Sequence, residues 1–112
     1  MSSYILNIIP AKGEEAAVNI NQLEIKKAMI QVRAINHKLR QVMLQYIGQH
    51  DKITVTEIFQ HLLLEQSVAS QHLAILRKAG FVKTKREGKF VYYSANRQRL
   101  LDLNRFVSDW LG

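Results

Sequence analysis

Residues 54–93 read TVTEIFQHLLLEQSVASQHLAILRKAGFVKTKREGKFVYY, and the order of elements within them decides the fold. Thr54 with Glu57 three positions on is a capping box, in which a hydroxyl accepts from an orphan amide and the carboxylate reaches back. Ile58, Phe59, Leu62 and Leu63 then give the buried face of a short helix, and the pattern breaks around residues 64–66. A second helix starts near Ser67 and runs to Ala79, with Ala69, Leu73 and Leu76 as its apolar ridge. Gly80 ends it, since glycine enters the left-handed region without a Cβ clash. The period then changes from 3.6 to 2. Residues 81–86 and 89–94 are β-rich runs on either side of Glu87 and Gly88, which reads as a hairpin with glycine supplying the positive φ.

Outward from this stretch the chain is mostly helical. Downstream, Asn96 caps a last helix whose wide apolar face carries Leu100, Leu103, Phe106, Val107, Trp110 and Leu111. Upstream, Asn21 can cap a helix with Glu24 at N3, and Ile25, Ala28, Met29 and Val32 recur at helical spacing. Asn36 reads as a second cap, followed by the stripe Leu39, Val42, Met43, Tyr46 and Ile47, with Gly48 suited to C′. Met29 and Met43 fall on these stripes and read as core filler. Residues 1–20 are less legible: 4–9 fits a short strand, an arm or a helix start, and 12–15 a turn or exposed segment. The expected organisation is an N-terminal arm or extension over 1–20 and one domain over 21–112.

Composition excludes several functions. The chain has 112 residues, enough for one core, with 47% hydrophobic and 22% charged residues, an ordinary globular balance. It has no cysteine, so no disulfide framework, thiol nucleophile or cysteine-ligated metal is available. No apolar run reaches the roughly 18–20 residues that span a bilayer, and the first ten residues lack a positive n-region and a cleavage site. A soluble, cytoplasmic protein is expected. No carboxylate pair, Gly-rich phosphate loop, metal cluster or Ser/His/Asp order stands out, so an enzyme is not expected and no cofactor is indicated.

The net charge of +7 is concentrated. Arg77, Lys78, Lys83, Lys85, Arg86, Lys89, Arg97 and Arg99 lie in one 23-residue stretch with Glu87 as its only acid, while the other 89 residues hold eight basic and eight acidic side chains. A concentrated basic patch is the footprint of a polyanion binder; the plain alternative is a solvated face.

Short helix, tight turn, second helix and β-hairpin is the order of a winged helix-turn-helix. The fold class expected is therefore mainly α with a β-hairpin (α+β), about five helices plus a two-stranded wing. In such a fold the second helix enters the major groove with its N-terminal residues at base edges. Here that end offers Gln66, Ser67, Ser70, Gln71 and His72, hydrogen-bonding side chains with little charge. Gln pairs bidentately with adenine and Ser serves several bases. Arg77, Lys85, Arg86 and Lys89 lie just beyond, suited to hold phosphates while the polar groups read bases.

Residues 66–82 resemble the recognition-helix signature of ArsR/SmtB-type bacterial transcriptional regulators, and Arg86-Glu87-Gly88-Lys89-Phe90-Val91-Tyr92-Tyr93 resembles their wing. Ala34-Ile35-Asn36 with Leu39-Arg40, and residues 54–58 downstream, are similar to their second and third helices. The resemblance spans about residues 25–111. It implies a homodimeric winged-helix repressor of double-stranded DNA on an inverted-repeat operator, with the first and last helices as the dimer interface. On this chain those helices carry Ile25, Met29, Val32, Leu103, Phe106, Val107 and Trp110. Five features depart from the family pattern. The usual Asp-Pro is His37-Lys38, the glycine of the helix-turn-helix turn is Leu63, and the Ser cap of the recognition helix is Glu65. The cysteine metal positions fall on Thr54 and Thr56, and the last helix has no His. Metal sensing through either known family site is therefore not expected. The signal could be a small organic effector at the dimer interface, a partner protein, or nothing at all.

Other residues have plainer readings beside functional ones. Arg40, off the apolar stripe, fits a phosphate contact or an intramolecular ion pair. Tyr92 and Tyr93, adjacent in a strand, must face opposite sides, one toward the core. His61 and Glu57, spaced i and i+4, can hold a metal but more readily form a solvated pair. The competing function is a winged-helix module docking a protein or RNA partner.

Overall fold

The computed structural model describes residues 4–11 and 16–112; the turn expected at residues 12–15 lies outside them. Two antiparallel strands, β1 (Ile5–Ile8) and β2 (Val18–Asn21), precede five helices: α1 (Gln22–Ile35), α2 (Lys38–Gly48), α3 (Val55–His61), α4 (Gln66–Lys78) and α5 (Arg97–Leu111). A three-stranded sheet of order β3-β5-β4 is built from β3 (Ile53–Thr54), β4 (Val82–Glu87) and β5 (Phe90–Ala95). This is the expected α+β winged helix-turn-helix, with β3 added to the edge of the wing hairpin. The core lies between α2, α3, α4 and the root of the sheet, where Met43, Ile47, Ile53, Ile58, Leu73, Leu76 and Phe81 are fully buried.

Three expected caps hold. The Asn21 carboxamide oxygen accepts from the Leu23 and Glu24 amides at 3.0 and 3.1 Å. Thr54 Oγ1 accepts from the Glu57 amide and donates to the Glu57 carboxylate, closing the first turn of α3. Asn96 accepts from the Arg99 amide through Oδ1 and donates to the Gly80 carbonyl through Nδ2, so one side chain starts α5 and ties it to the end of α4. The wing turn also follows the sequence. Glu87 pairs with Phe90, leaving Gly88 and Lys89 as a two-residue loop with Gly88 at φ 61°, as a type II′ turn requires.

Four local expectations are corrected. Asn36 does not cap α2: it closes the C-terminus of α1, and His37 is the N-cap, its Nδ1 accepting from the Leu39 amide. Gly48 is the last helical residue of α2 rather than a left-handed C′, because the helix winds on in right-handed conformation through Gln49. Met29 is exposed, since α1 buries only Ala34 against the rest of the chain. Leu63, expected on the buried face of α3, is 91% exposed at φ 55°.

Leu63 has a definite physical reason. The Leu63 amide bonds to Gln60 O and the Leu64 amide to Phe59 O, which is the Schellman closure of a helix with its C′ residue left-handed. The same closure ends α4, where the Gly80 amide meets Arg77 O and the Phe81 amide meets Leu76 O, with Gly80 at φ 85°. At Gly80 a Cβ would also sit 3.3 Å from Arg99 Nε, so glycine suits both the angle and the space. At Leu63 the angle is forced on a side chain that touches little. A left-handed non-glycine residue costs about 1–2 kcal/mol, and glycine returns part of that gain as unfolded-state entropy. Leu63→Gly should therefore raise stability by about 0.5–1 kcal/mol. A urea titration that shows an unchanged or lower midpoint would contradict the strain.

Candidate nucleic-acid interface

Helix α4 buries Ala69, Leu73 and Leu76 and turns its opposite face outward. That outer face carries Ser67, Ser70, Gln71, Ala74 and Lys78, at offsets 0, 3, 4, 7 and 11 along one side of the helix, all exposed. Its first half is small or hydrogen-bonding and uncharged, and its last turn carries Arg77 and Lys78, where cations also complement the helix dipole. Gln66 is exposed at the first position. Glu65 stands at the N-cap and makes no side-chain cap bond. A ridge with little bulk and several donors and acceptors can lie in a major groove and reach base edges.

The wing supplies cations at a fixed distance from that ridge, because only Ala79, Gly80 and fully buried Phe81 join α4 to β4. Lys85, Arg86 and Lys89 are all exposed, and Lys89 lies over the Phe90 ring at 5.4 Å. Glu87, the one acid of the stretch, is held below the usual carboxylate range chiefly by its hydrogen bond to Lys52. Lys85 reaches the same carboxylate only at 3.9 Å. Lys52 also lies 4.7 Å from the centre of the Tyr92 ring, while Tyr93 packs on the core. The two tyrosines thus divide as their alternation requires. Lys52 was missed from sequence because it is distant from the basic stretch; the β3–β5 pairing brings it to the wing.

His72 and Arg40 belong to one cluster. Arg40, only 9% exposed, donates from Nε to Ala34 O at 2.6 Å, from Nη2 to Arg33 O at 3.0 Å and from Nη1 to His72 Nδ1 at 3.1 Å. An arginine can only donate, so His72 Nδ1 is an unprotonated acceptor. Burial first, then the neighbouring His37 and Arg40, lower the His72 pKa. Arg40 is thus a clamp between the end of α1 and the middle of α4; of the two readings its position allowed, a phosphate contact or an ion pair, no carboxylate among the described residues forms the second. His72 is half-buried, with one ring nitrogen already engaged.

His61 and Glu57 do not pair: His61 stacks on Tyr46 at 4.0 Å and Glu57 serves Thr54. Among the described residues no group of three or more His, Asp or Glu could hold a metal ion, and no helix is long and apolar enough to cross a membrane.

The residues expected between two subunits share another surface. Ile25, Met29, Val32, Phe106, Val107 and Trp110 are exposed, Leu103 is half-buried, and α5 buries no residue fully. Ala28, Gln31 and Val32 of α1 line one cleft with Leu103 and Phe106 of α5, so the two helices lie side by side and leave their apolar faces open.

The profile of the family "Bacterial regulatory protein, arsR family" matches residues 42–84, which contain most of α2, α3 and α4 and the start of the wing. The chain is 33% identical over 82 residues to the transcriptional activator HlyU of Vibrio cholerae serotype O1, covering 70% of this chain and 74% of HlyU. Its fold is similar to the crystal structure of the transcriptional repressor PagR of Bacillus anthracis, with TM-score 0.62, 27% identity, and 76% and 97% of the two chains covered. The fold of NolR from Sinorhizobium fredii is also similar, with TM-score 0.67 at 24% identity over 91% of this chain and 95% of NolR.

Proposed function

Since the chain belongs to the arsR family of bacterial regulatory proteins, which are DNA-binding transcriptional regulators, we propose that it is a homodimeric repressor acting on an inverted-repeat operator. The observation that carries this reading is the outer face of α4. Ser67, Ser70 and Gln71 offer base-reading groups around a small Ala74, with Gln66 beside them and cations confined to the helix end and the wing. In this reading Arg77, Lys85, Arg86 and Lys89 hold phosphates, and His72 contributes mainly by seating α4. Two α4 helices related by a two-fold axis would enter successive major grooves about 34 Å apart. A dimer built on α1 and α5 is supported by their open apolar faces. It is supported further by a radius of gyration of 18.7 Å, against about 13 Å for a compact domain of this length. Metal sensing at the family's known positions is not part of the reading. Thr54 is committed to capping α3, Thr56 offers a hydroxyl in place of a thiolate, and α5 carries no His.

Selection of bound fragments from genomic DNA, read by sequencing, tests the function directly. Enrichment of a palindrome with half-sites about one helical turn apart is expected. In the selected site, Gln71→Ala should cost roughly 1–3 kcal/mol at particular base pairs and nothing at others. Absence of any preferred duplex would instead favour a module that docks a protein or RNA.

A further inference from the structure

The β1–β2 hairpin has one wholly aliphatic face. Cross-strand partners Leu6 with Ile20 and Ile8 with Val18 stand on one side, and Ile5 with Asn21 and Asn7 with Asn19 on the other. The aliphatic side is bare: Leu6, Ile8 and Val18 are 45%, 50% and 56% exposed. A two-stranded hairpin is marginal in water without a covering layer. This one is nevertheless held in a fixed direction. Asn21 is at once the last residue of β2 and the N-cap of α1, and the Gln22 amide donates to Tyr4 O at 2.6 Å. The hairpin is therefore an extension of α1.

Its position indicates what covers it. One cleft brings Ile35 beside Arg97 and Leu100, and a second brings Ala28 beside Phe106. Helices α1 and α5 therefore run antiparallel, and the start of α1, with its hairpin, lies toward the end of α5. There Phe106, Trp110 and Leu111 are 62%, 79% and 77% exposed. One end of the molecule thus carries an aliphatic sheet face and an aromatic helix end, neither covered by the other. They continue the open faces of α1 and α5. We propose that the hairpin is a dimerisation arm: its Leu6, Ile8 and Val18 face packs on the Phe106, Trp110 and Leu111 end of α5 in a second copy of the chain, reciprocally about a two-fold axis. This rests on the homodimer reading above and extends it. A reciprocal contact closes on itself and leaves neither surface in water. Because the arm is already oriented by its cap, little ordering entropy opposes the contact.

The absence of cysteine makes a clean test. Ile8→Cys and Trp110→Cys are prepared as separate full-length variants, tagged differently, mixed and mildly oxidised, while the oligomeric state of the unmodified protein is followed by sedimentation. The expected result is a mixed disulfide between the two variants and a dimer for the unmodified chain. In addition, Leu6→Asp with Ile8→Asp should weaken dimerisation about a hundredfold. An unmodified dimer with no mixed disulfide overturns the arm and leaves the α1–α5 dimer standing. A disulfide closing within one chain at high dilution, when Ile8→Cys and Trp110→Cys are combined in the same chain, overturns it too. An unmodified monomer overturns both readings.

Discussion

Replacing Lys85, Arg86 and Lys89 together by alanine is expected to weaken binding to every duplex by about a thousandfold at physiological salt, and to flatten the salt dependence. All three side chains are exposed on the wing, and none is needed by the core. Glu87 does not neutralise them, because its stronger partner is Lys52, outside the hairpin. In a dimer the triple change removes up to six phosphate contacts. Each contact contributes about 0.9 to the slope of log K against log salt, so the slope should fall by about 5. The loss should be equal for operator and random DNA, since phosphates carry no sequence information. Fluorescence anisotropy titrations at several salt concentrations measure both quantities. A loss restricted to the operator, or an unchanged slope, would show that the wing reads bases or faces away from DNA.

The contrast with Gln71 separates the two halves of the site. Ser67, Ser70 and Gln71 could be placed from sequence because a 3.6 period, once fixed by Ala69, Leu73 and Leu76, leaves no choice about which residues face outward. The wing was legible for the same reason with period 2, and Gly88 anchored its turn. The caps at Asn21, Thr54 and Asn96 are local, so the sequence around each is enough to place it.

What sequence did not reveal depends on distant or weak signals. Strand β3 has two residues, too few for a period, and exists because Ile53 and Thr54 meet Tyr93 and Tyr92 about 40 positions on. Leu63 looks apolar and helical. Its left-handed angle comes from the closure of α3, which overrides the preference of leucine. His37 has the Nδ1 acceptor that an N-cap needs, yet Asn36 beside it is the better capping residue by preference. The choice between them is made by where α1 ends. The β1–β2 pairing joins two segments of only four residues each; Val18-Asn19-Ile20-Asn21 alternates, but nothing local says that it pairs with residues 5–8.

Arg40 is the strongest case of this kind, and its removal is expected to have the largest effect on stability. The guanidinium satisfies the Arg33 and Ala34 carbonyls, while Gln41 Nε2 satisfies Ile35 O, so three of the four carbonyls at the end of α1 are met by side chains of α2. Among the described residues no carboxylate pairs with Arg40; the negative end of the α1 dipole compensates its charge. Arg40→Ala leaves two carbonyls and His72 Nδ1 without their donor in a partly buried place, which should cost about 2–4 kcal/mol. Arg40→Lys keeps the charge but cannot span three acceptors in a fork, and should recover at most half of that loss. Equilibrium denaturation measures both. The salt slope of DNA binding should stay unchanged in Arg40→Gln, which removes the charge; a slope reduced by about 0.9 for each Arg40 would mean that Arg40 touches phosphate. The same cluster predicts a pH dependence. The folded His72 pKa is lowered, so the unfolded chain takes up the proton first. Stability should therefore be complete above the ordinary histidine value of about 6.5 and fall as pH drops below it, levelling only once the folded state is also protonated. In His72→Asn, whose side-chain oxygen can still accept from Arg40, that fall should shrink. An equally steep fall in this variant would place the titrating group elsewhere.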